Sequence, residues 1–355
     1  MKHRVFSRFI LGIVLLYPHQ LQADHLFHYD FPPLNSPVGT VELSVIDHTR
    51  KDPHDEKLQR ELPIRVWYPA IDNKEIELAE WGYTKRDFII EKASDGAPMF
   101  IVEMVYQGQV RSKPNLSPRA GSYPSVFLLH GLGGGPIEEH TDLAETLASQ
   151  GFVVIGVNFP FGAAISKISQ SAEPIGPSQK LTEILSRYPA SKPELITYRK
   201  DEHKLWVEDI GFVLSQLKTR KEPPFSAIDW SRVHMVGHSH GGMVALESCL
   251  KEPSCKSSVN MDGWTYELEF PHDLKRHLVM YTLSSGDYFR SFCKDRLNCV
   301  QREIAECDIA HGGFSDKAYI KWPFTHYTNN QCGSKSVEVK QQINQEIGTF
   351  LKTGS

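Results

Sequence analysis

The sequence has little charge of either sign to spare, no metal-binding cysteine pattern and no cysteine at all before Cys249. A formal net charge of −4 over 355 residues supplies no field for nucleic acid and no polybasic surface for anionic lipid. No C-x-x-C and no histidine cluster complete a zinc pattern, so neither a metal nor another cofactor is expected. There is no internal repeat and no low-complexity tract, which sets aside solenoids and disordered linkers. The one sustained apolar run, Phe9 to Tyr17, is too short to span a bilayer.

That run follows Lys2, Arg4 and Arg8 and precedes Leu21-Gln22-Ala23, the three-part pattern of a secretory signal over residues 1–23. The expectation is an exported protein, secreted or periplasmic, with residues 24–355 forming one domain. The six cysteines, Cys249, Cys255, Cys293, Cys299, Cys307 and Cys332, suit an oxidising destination. At least two disulfides are expected, and Cys249–Cys255 and Cys293–Cys299 are the simplest pairs among the fifteen pairings six cysteines allow.

Strand and helix patterns alternate along most of the chain. "TVELSVIDHTR" and "ELPIRVWYPA" read as an antiparallel hairpin around a charged loop at Pro53. The short, uniformly apolar run Ser125 to Leu129 reads as a strand buried on both faces, as does "GFVVIGVNF". Residues 136–150, 195–218 and 336–352 are helix-like, and "RVHMVG", "GGMVALESCL", "KSSVNMD" and "HLVMYT" continue the alternation. This is an α/β chain with a mostly parallel sheet, helices on both faces and an antiparallel N-terminal hairpin. Two segments interrupt it as insertions, around 71–121 and 160–194, the second expected as a flap at the carboxyl ends of the strands, where such folds bind ligands.

Gly237-His238-Ser239-His240-Gly241 fits G-x-S-x-G. Alone the motif says little, since about one chain in ten of this length would carry it by chance. Here it lies between a strand and a helix, where a sharp turn lifts a serine hydroxyl above the sheet. A second glycine-rich turn, "LLHGLGGG", also follows a strand. An acyl-transfer site needs backbone N–H groups aimed at the oxygen that becomes negative. Those of Leu132 and His240 are the expected donors. The turn also begins a dinucleotide-binding G-x-G-x-x-G, but Pro136 stands where its last glycine belongs.

A hydroxyl nucleophile needs a histidine and a carboxylate, in the order Ser, acid, His for this kind of fold. His272 and His277 come too early. His311, in a glycine-containing loop before the terminal helix, is the expected base, with His326 as runner-up. His238 and His240 flank the serine and are expected to point away from it. Asp262, ending "SSVNMD", and Asp287, in "SSGDYF", compete as the acid, and the residues alone leave the choice open.

"VFLLHGLGGG", "VGHSHGGM", "NMDGW" and "AHGGFSD", in that order, resemble the α/β-hydrolases of the platelet-activating factor acetylhydrolase family and its bacterial dienelactone-hydrolase-like relatives. "LPIRVWYPA" resembles an early strand of the same group, so the likeness spans about 60 to 320 through short motifs. It implies ester hydrolysis without a metal, notably of short or oxidised acyl chains on phospholipids. It places the acid at Asp262 through "MDGW", the base at His311 through a segment shared with Phe314 and Asp316, and an oxyanion donor at Leu132. The implied partner is a small-molecule or lipid ester, with no nucleic acid and no obligate protein partner. A transient contact with a membrane surface is compatible with such a substrate. A polyester or lactone is the neighbouring substrate expectation, and a binding protein on an inactive hydrolase scaffold the rival, which would have lost a member of the triad. The two interrupting segments and the cysteines match nothing in the family.

Overall fold

In the computed structural model the described residues are 31–79, 110–187, 192–265, 267–307, 309–319 and 332–353. The signal-like segment 1–23, most of 71–121 and His326 lie outside them.

Alternation of apolar and polar residues in "TVELSVID" gives a strand with one buried face, and the hairpin follows from it. β1 (Val38–Asp52) and β2 (Asp55–Pro69) pair antiparallel from Val38↔Pro69 to Asp52↔Asp55. Both run further into the charged loop than the apolar pattern reaches. Buried ion pairs hold that end: Arg60, fully enclosed, meets Asp52 at 2.8 Å and Asp209 at 2.6 Å.

β3 (Lys113–Pro114) adds a short parallel edge to β1. β4 (Tyr123–Leu129), β5 (Val153–Val157), β6 (Ile228–His238), β7 (Cys255–Met261), β8 (Asp273–Thr282) and β9 (Leu297–Ile304) complete a nine-stranded sheet. Its order is β3-β1-β2-β5-β4-β6-β7-β8-β9, parallel from β5 onward.

β4 shows why its run is uniformly apolar. Phe127 and Leu129 pack with Trp206, Ile210, Val213 and Leu217 on one face. Val126 and Leu128 pack with Leu143, Leu147, Ile343 and Ile347 on the other. Each fully buried side chain of this size contributes about 1.5–3 kcal/mol, so a polar residue on either face would be costly. The covering helices are α1 (Thr141–Ser149), α2 (Gln179–Arg187), α3 (Pro193–Thr219), α4 (His240–Lys251), α5 (Gly286–Lys294) and α6 (Ser336–Lys352).

Segment 160–187 packs closely beside the carboxyl end of β4. Ala163, Ala164, Ile165 and Ile168 are buried, and α2 closes the segment with Leu181 inside. It docks on the glycine-rich turn after β4: the Gly133 N–H donates to Gly162 O and the Ala164 N–H to Gly134 O, both at 2.7 Å.

All six cysteines are paired, as Cys249–Cys255, Cys293–Cys299 and Cys307–Cys332. No helix among the described residues is long and apolar enough to cross a membrane.

Candidate active site

β6 ends at His238 and α4 begins at His240, which leaves Ser239 alone to make the turn. Its backbone sits at φ 54°, ψ −126°, a conformation that costs a residue with a side chain on the order of 1–3 kcal/mol. Two hydrogen bonds hold it there, Ser239 N–H to Met261 O at 2.8 Å and Gly242 N–H to Ser239 O at 2.9 Å. The turn also needs absent side chains. A Cβ at Gly237 would lie 2.1 Å from Gly241 O, and one at Gly241 would lie 2.4 Å from His130 O. Ser239 is thereby left partly exposed while both its neighbours are buried.

His311 opens a 3-10 turn, His311–Phe314, after Ala310 at φ 52°. Its Nδ1–H donates to Asp262 Oδ2 at 2.7 Å. That tautomer leaves Nε2 with a lone pair. Asp262, at φ 57° just beyond β7, is 3% exposed, and its Oδ1 accepts from Ser285 Oγ at 2.5 Å. Asn260 ties the same turn to Gly263 through two side-chain hydrogen bonds of 2.7 and 2.8 Å. Gly263 in turn packs against Ser239, whose carbonyl oxygen lies 2.0 Å from where a Cβ would stand. The turns carrying acid and serine therefore brace each other.

Of the two competing aspartates, Asp262 meets the imidazole. Asp287 lies in the first turn of α5, fully exposed, and pairs with Arg290 at 2.7 Å. His272 is exposed, and His277 is buried in β8 against Ser258 Oγ at 2.7 Å. Among the described residues Ser239 Oγ has no hydrogen bond to His311, a contact that in ligand-free sites is often long and tightens on binding.

The glycine-rich turn runs beside the serine. A Cβ at Gly131 would stand 3.0 Å from Ser239 Cβ and 3.4 Å from its Oγ. His130, fully buried against Phe159 and Trp206, fixes this turn. Its Nδ1–H donates to Gly131 O at 2.8 Å, and its Nε2 accepts from the Phe159 N–H at 3.0 Å. Burial lowers its pKa to about 4, so it keeps the neutral form this pair of bonds requires. Leu132 follows in the chain, and its side chain packs at the core. His240 opens α4, whose N-terminus brings positive partial charge to the space after Ser239. Its ring is buried edge-on to Trp206, 4.9 Å away.

His240 thus turns inward, as expected. His238 does not turn away from the site: its ring lies 4.7 Å from that of His311 and its Nε2–H donates to His311 O at 2.9 Å. As the last residue of β6 it lies on the same face as Val236, with Phe314 alongside, and that face is the one the His311 turn covers. His130, Ser285 and Asn260 were also missed. His130 and Asn260 lie inside "LLHGLGGG" and "NMDGW" but had no role there, and each of the three is recognisable only from its hydrogen bonds.

The buried histidines make stability pH-dependent. Burial lowers the pKa of His130 and His234 to about 4 and of His277 to about 3, from 6.5. The unfolded chain binds their protons first, so their stabilisation is present above about pH 6.5 and is lost as pH falls toward 4. At pH 5 the loss is on the order of 2 kcal/mol per residue. Glu138, raised to about 7 by burial, works in the opposite sense and offsets one of them. Thermal melts from pH 7 to pH 4.5 should show a steadily falling midpoint; a midpoint that rises or stays flat would contradict this assignment.

Comparison with known proteins agrees with the architecture. A family model described as alpha/beta hydrolase fold matches residues 124–301. A platelet-activating factor acetylhydrolase from Cavia porcellus is 23% identical over 252 residues, 64% of this chain and 56% of that protein. The chain therefore spans little more than half the length of that curated relative. A ferulic acid esterase from Streptomyces cinnamoneus superposes with a TM-score of 0.70 at 19% identity, covering 93% of each chain. With the family matched over half its length and the sheet order, serine turn and glycine-rich turn in place, the chain belongs to the α/β-hydrolase family.

Proposed function

We propose that this protein is a carboxylic ester hydrolase that works through an acyl-enzyme on Ser239. The observation that carries the reading is the 2.7 Å bond between His311 Nδ1 and a buried Asp262, braced against the strained serine turn. Ser239 Oγ attacks the ester carbonyl while His311 Nε2 takes its proton. Asp262 holds the imidazole in the right tautomer and stabilises the imidazolium. The N–H groups of Leu132 and His240 receive the developing oxyanion. His311 then gives its proton to the leaving alcohol, and a water activated by the same histidine releases the acid. No metal or cofactor enters these steps.

For substrate we propose a lipid or phospholipid acyl ester. The likeness to a platelet-activating factor acetylhydrolase supports it. So does α2, whose Leu185 is 41% exposed and reaches within 2.7 Å of a Cβ position on Gly133. Leu185, backed by the buried Leu181, makes an apolar rim beside the glycine-rich turn, which suits a short or medium acyl chain. Export is part of the same proposal, supported by three disulfides and the N-terminal signal pattern.

Purified protein assayed on p-nitrophenyl esters from C2 to C16 is expected to show its highest kcat/KM at or below about C8, since a rim covers only part of a long chain. A rate climbing steadily to C16 would contradict the chain-length reading, and no hydrolysis of any ester would contradict the activity itself.

A further inference from the structure

We infer that His238 is a positioning residue for His311, fixing the base through its backbone carbonyl and through ring-to-ring contact. The inference rests on the reading of His311 as general base. His311 has little else to hold it. Its side chain is half exposed, it follows Ala310 at φ 52°, and two glycines follow it. Asp262 secures one ring nitrogen, which leaves the ring free to swing about that bond. The His238 Nε2–H bond to His311 O, at 2.9 Å, fixes the backbone from which the ring projects. The two rings lie 4.7 Å apart, tilted by 36°. Because His238 is also the residue before Ser239, one side chain ties the base turn to the nucleophile turn.

His238 is itself well anchored. It is 8% exposed, with His140 edge-on at 5.3 Å and Phe314 at 6.1 Å. The ionisable groups around it are His311, His140 and Lys317; Lys317 pairs with Glu139 at 2.9 Å, and Lys340 lies beyond His140. Burial, reinforced by the charges of His311 and His140, holds its pKa well below that of a free histidine. A neutral His238 keeps the Nε2–H donor and sets an uncharged aromatic ring beside the imidazolium that His311 becomes in the transition state. A cation near such a ring is stabilised, whereas a second cation would repel it.

Two variants of the full chain separate the donor from the ring. His238→Phe keeps a ring and removes the donor; His238→Gln keeps an N–H at nearly the same place and removes the ring. For His238→Phe, kcat on a p-nitrophenyl ester is expected to fall at least about 30-fold with KM within about twofold, the signature of a lost transition-state interaction. His238→Gln should recover kcat to within about fivefold of wild type, with the acidic limb of kcat/KM moved down by roughly half a pH unit. Wild-type kcat in His238→Phe, a Gln variant as slow as Phe, or a loss confined to KM would overturn the inference. Should His238→Phe not fold, the pH limb of His238→Gln decides alone: an unmoved limb counts against it. Failure of the underlying reading looks different, because ester hydrolysis would then survive in Ser239→Ala.

Discussion

Ser239→Ala is expected to give a folded protein whose ester hydrolysis is reduced at least about 10³-fold. The substitution removes only Oγ. That atom makes no hydrogen bond among the described residues, and Ser239 is partly exposed. The turn itself is held by backbone groups, the Ser239 N–H to Met261 O and the Gly242 N–H to Ser239 O, which alanine retains. Stability should therefore change little, and a melting curve alongside the assay separates lost chemistry from lost fold. Near-normal hydrolysis by a folded Ser239→Ala protein would remove the proposed nucleophile.

Asp262→Asn is expected to lower kcat by about 10⁴-fold, the scale on which loss of the triad acid acts in serine proteases. The amide carries no charge to stabilise the imidazolium, and its NH₂ group meets the Nδ1–H that the carboxylate accepts. KM should change little, because Asp262 lies behind the histidine and is 3% exposed. Ser285 Oγ can still donate to the amide oxygen, so the site keeps part of its bonding. Asp287→Asn is the matched control. It alters a fully exposed carboxylate paired with Arg290 on the first turn of α5, and activity should stay within about twofold, as for most surface substitutions. Equal losses in the two variants, or a larger one at Asp287, would contradict the geometry around His311.

Much of the fold was legible where one period dominated. The terminal helix has the limits read from sequence, 336–352, and the helix read at 195–218 is Pro193–Thr219. β4 and β5 were found because both their faces are covered and their runs are almost wholly apolar, whereas β6 and β7 mix apolar with polar residues and were read from the alternation around them. β9 was not foreseen. It is an edge strand with Leu297 and Val300 exposed and polar residues between, so no pattern marks a buried face. α5 buries Phe289, Phe292 and Cys293 at helical spacing, but nine residues are too few for that spacing to stand out. α2, equally short, was hidden in a segment rich in proline, serine and glycine.

The site divides in the same way. Ser239, Leu132 and His240 lie on turns whose glycines are visible in sequence, because close backbone packing forbids side chains there. The partner of His311 was not decidable from the residues alone. Asp262 and Asp287 both follow strands, and only the fold shows that the second faces solvent on α5. The contact of His238 with His311 was equally out of reach, since it joins the end of β6 to a loop 73 residues further along the chain.

The central claim is that Ser239 is a nucleophile activated by His311 and Asp262, and covalent labelling tests it most directly. Wild-type protein, Ser239→Ala and Asp262→Asn would be treated with a fluorophosphonate, digested, and mapped by mass spectrometry. The reagent adduct is expected on Ser239 in the wild type, absent in Ser239→Ala, and formed at least about 10²-fold more slowly in Asp262→Asn, because the histidine then activates the hydroxyl poorly. Labelling that persists in Ser239→Ala, or that proceeds at the wild-type rate in Asp262→Asn, would contradict it.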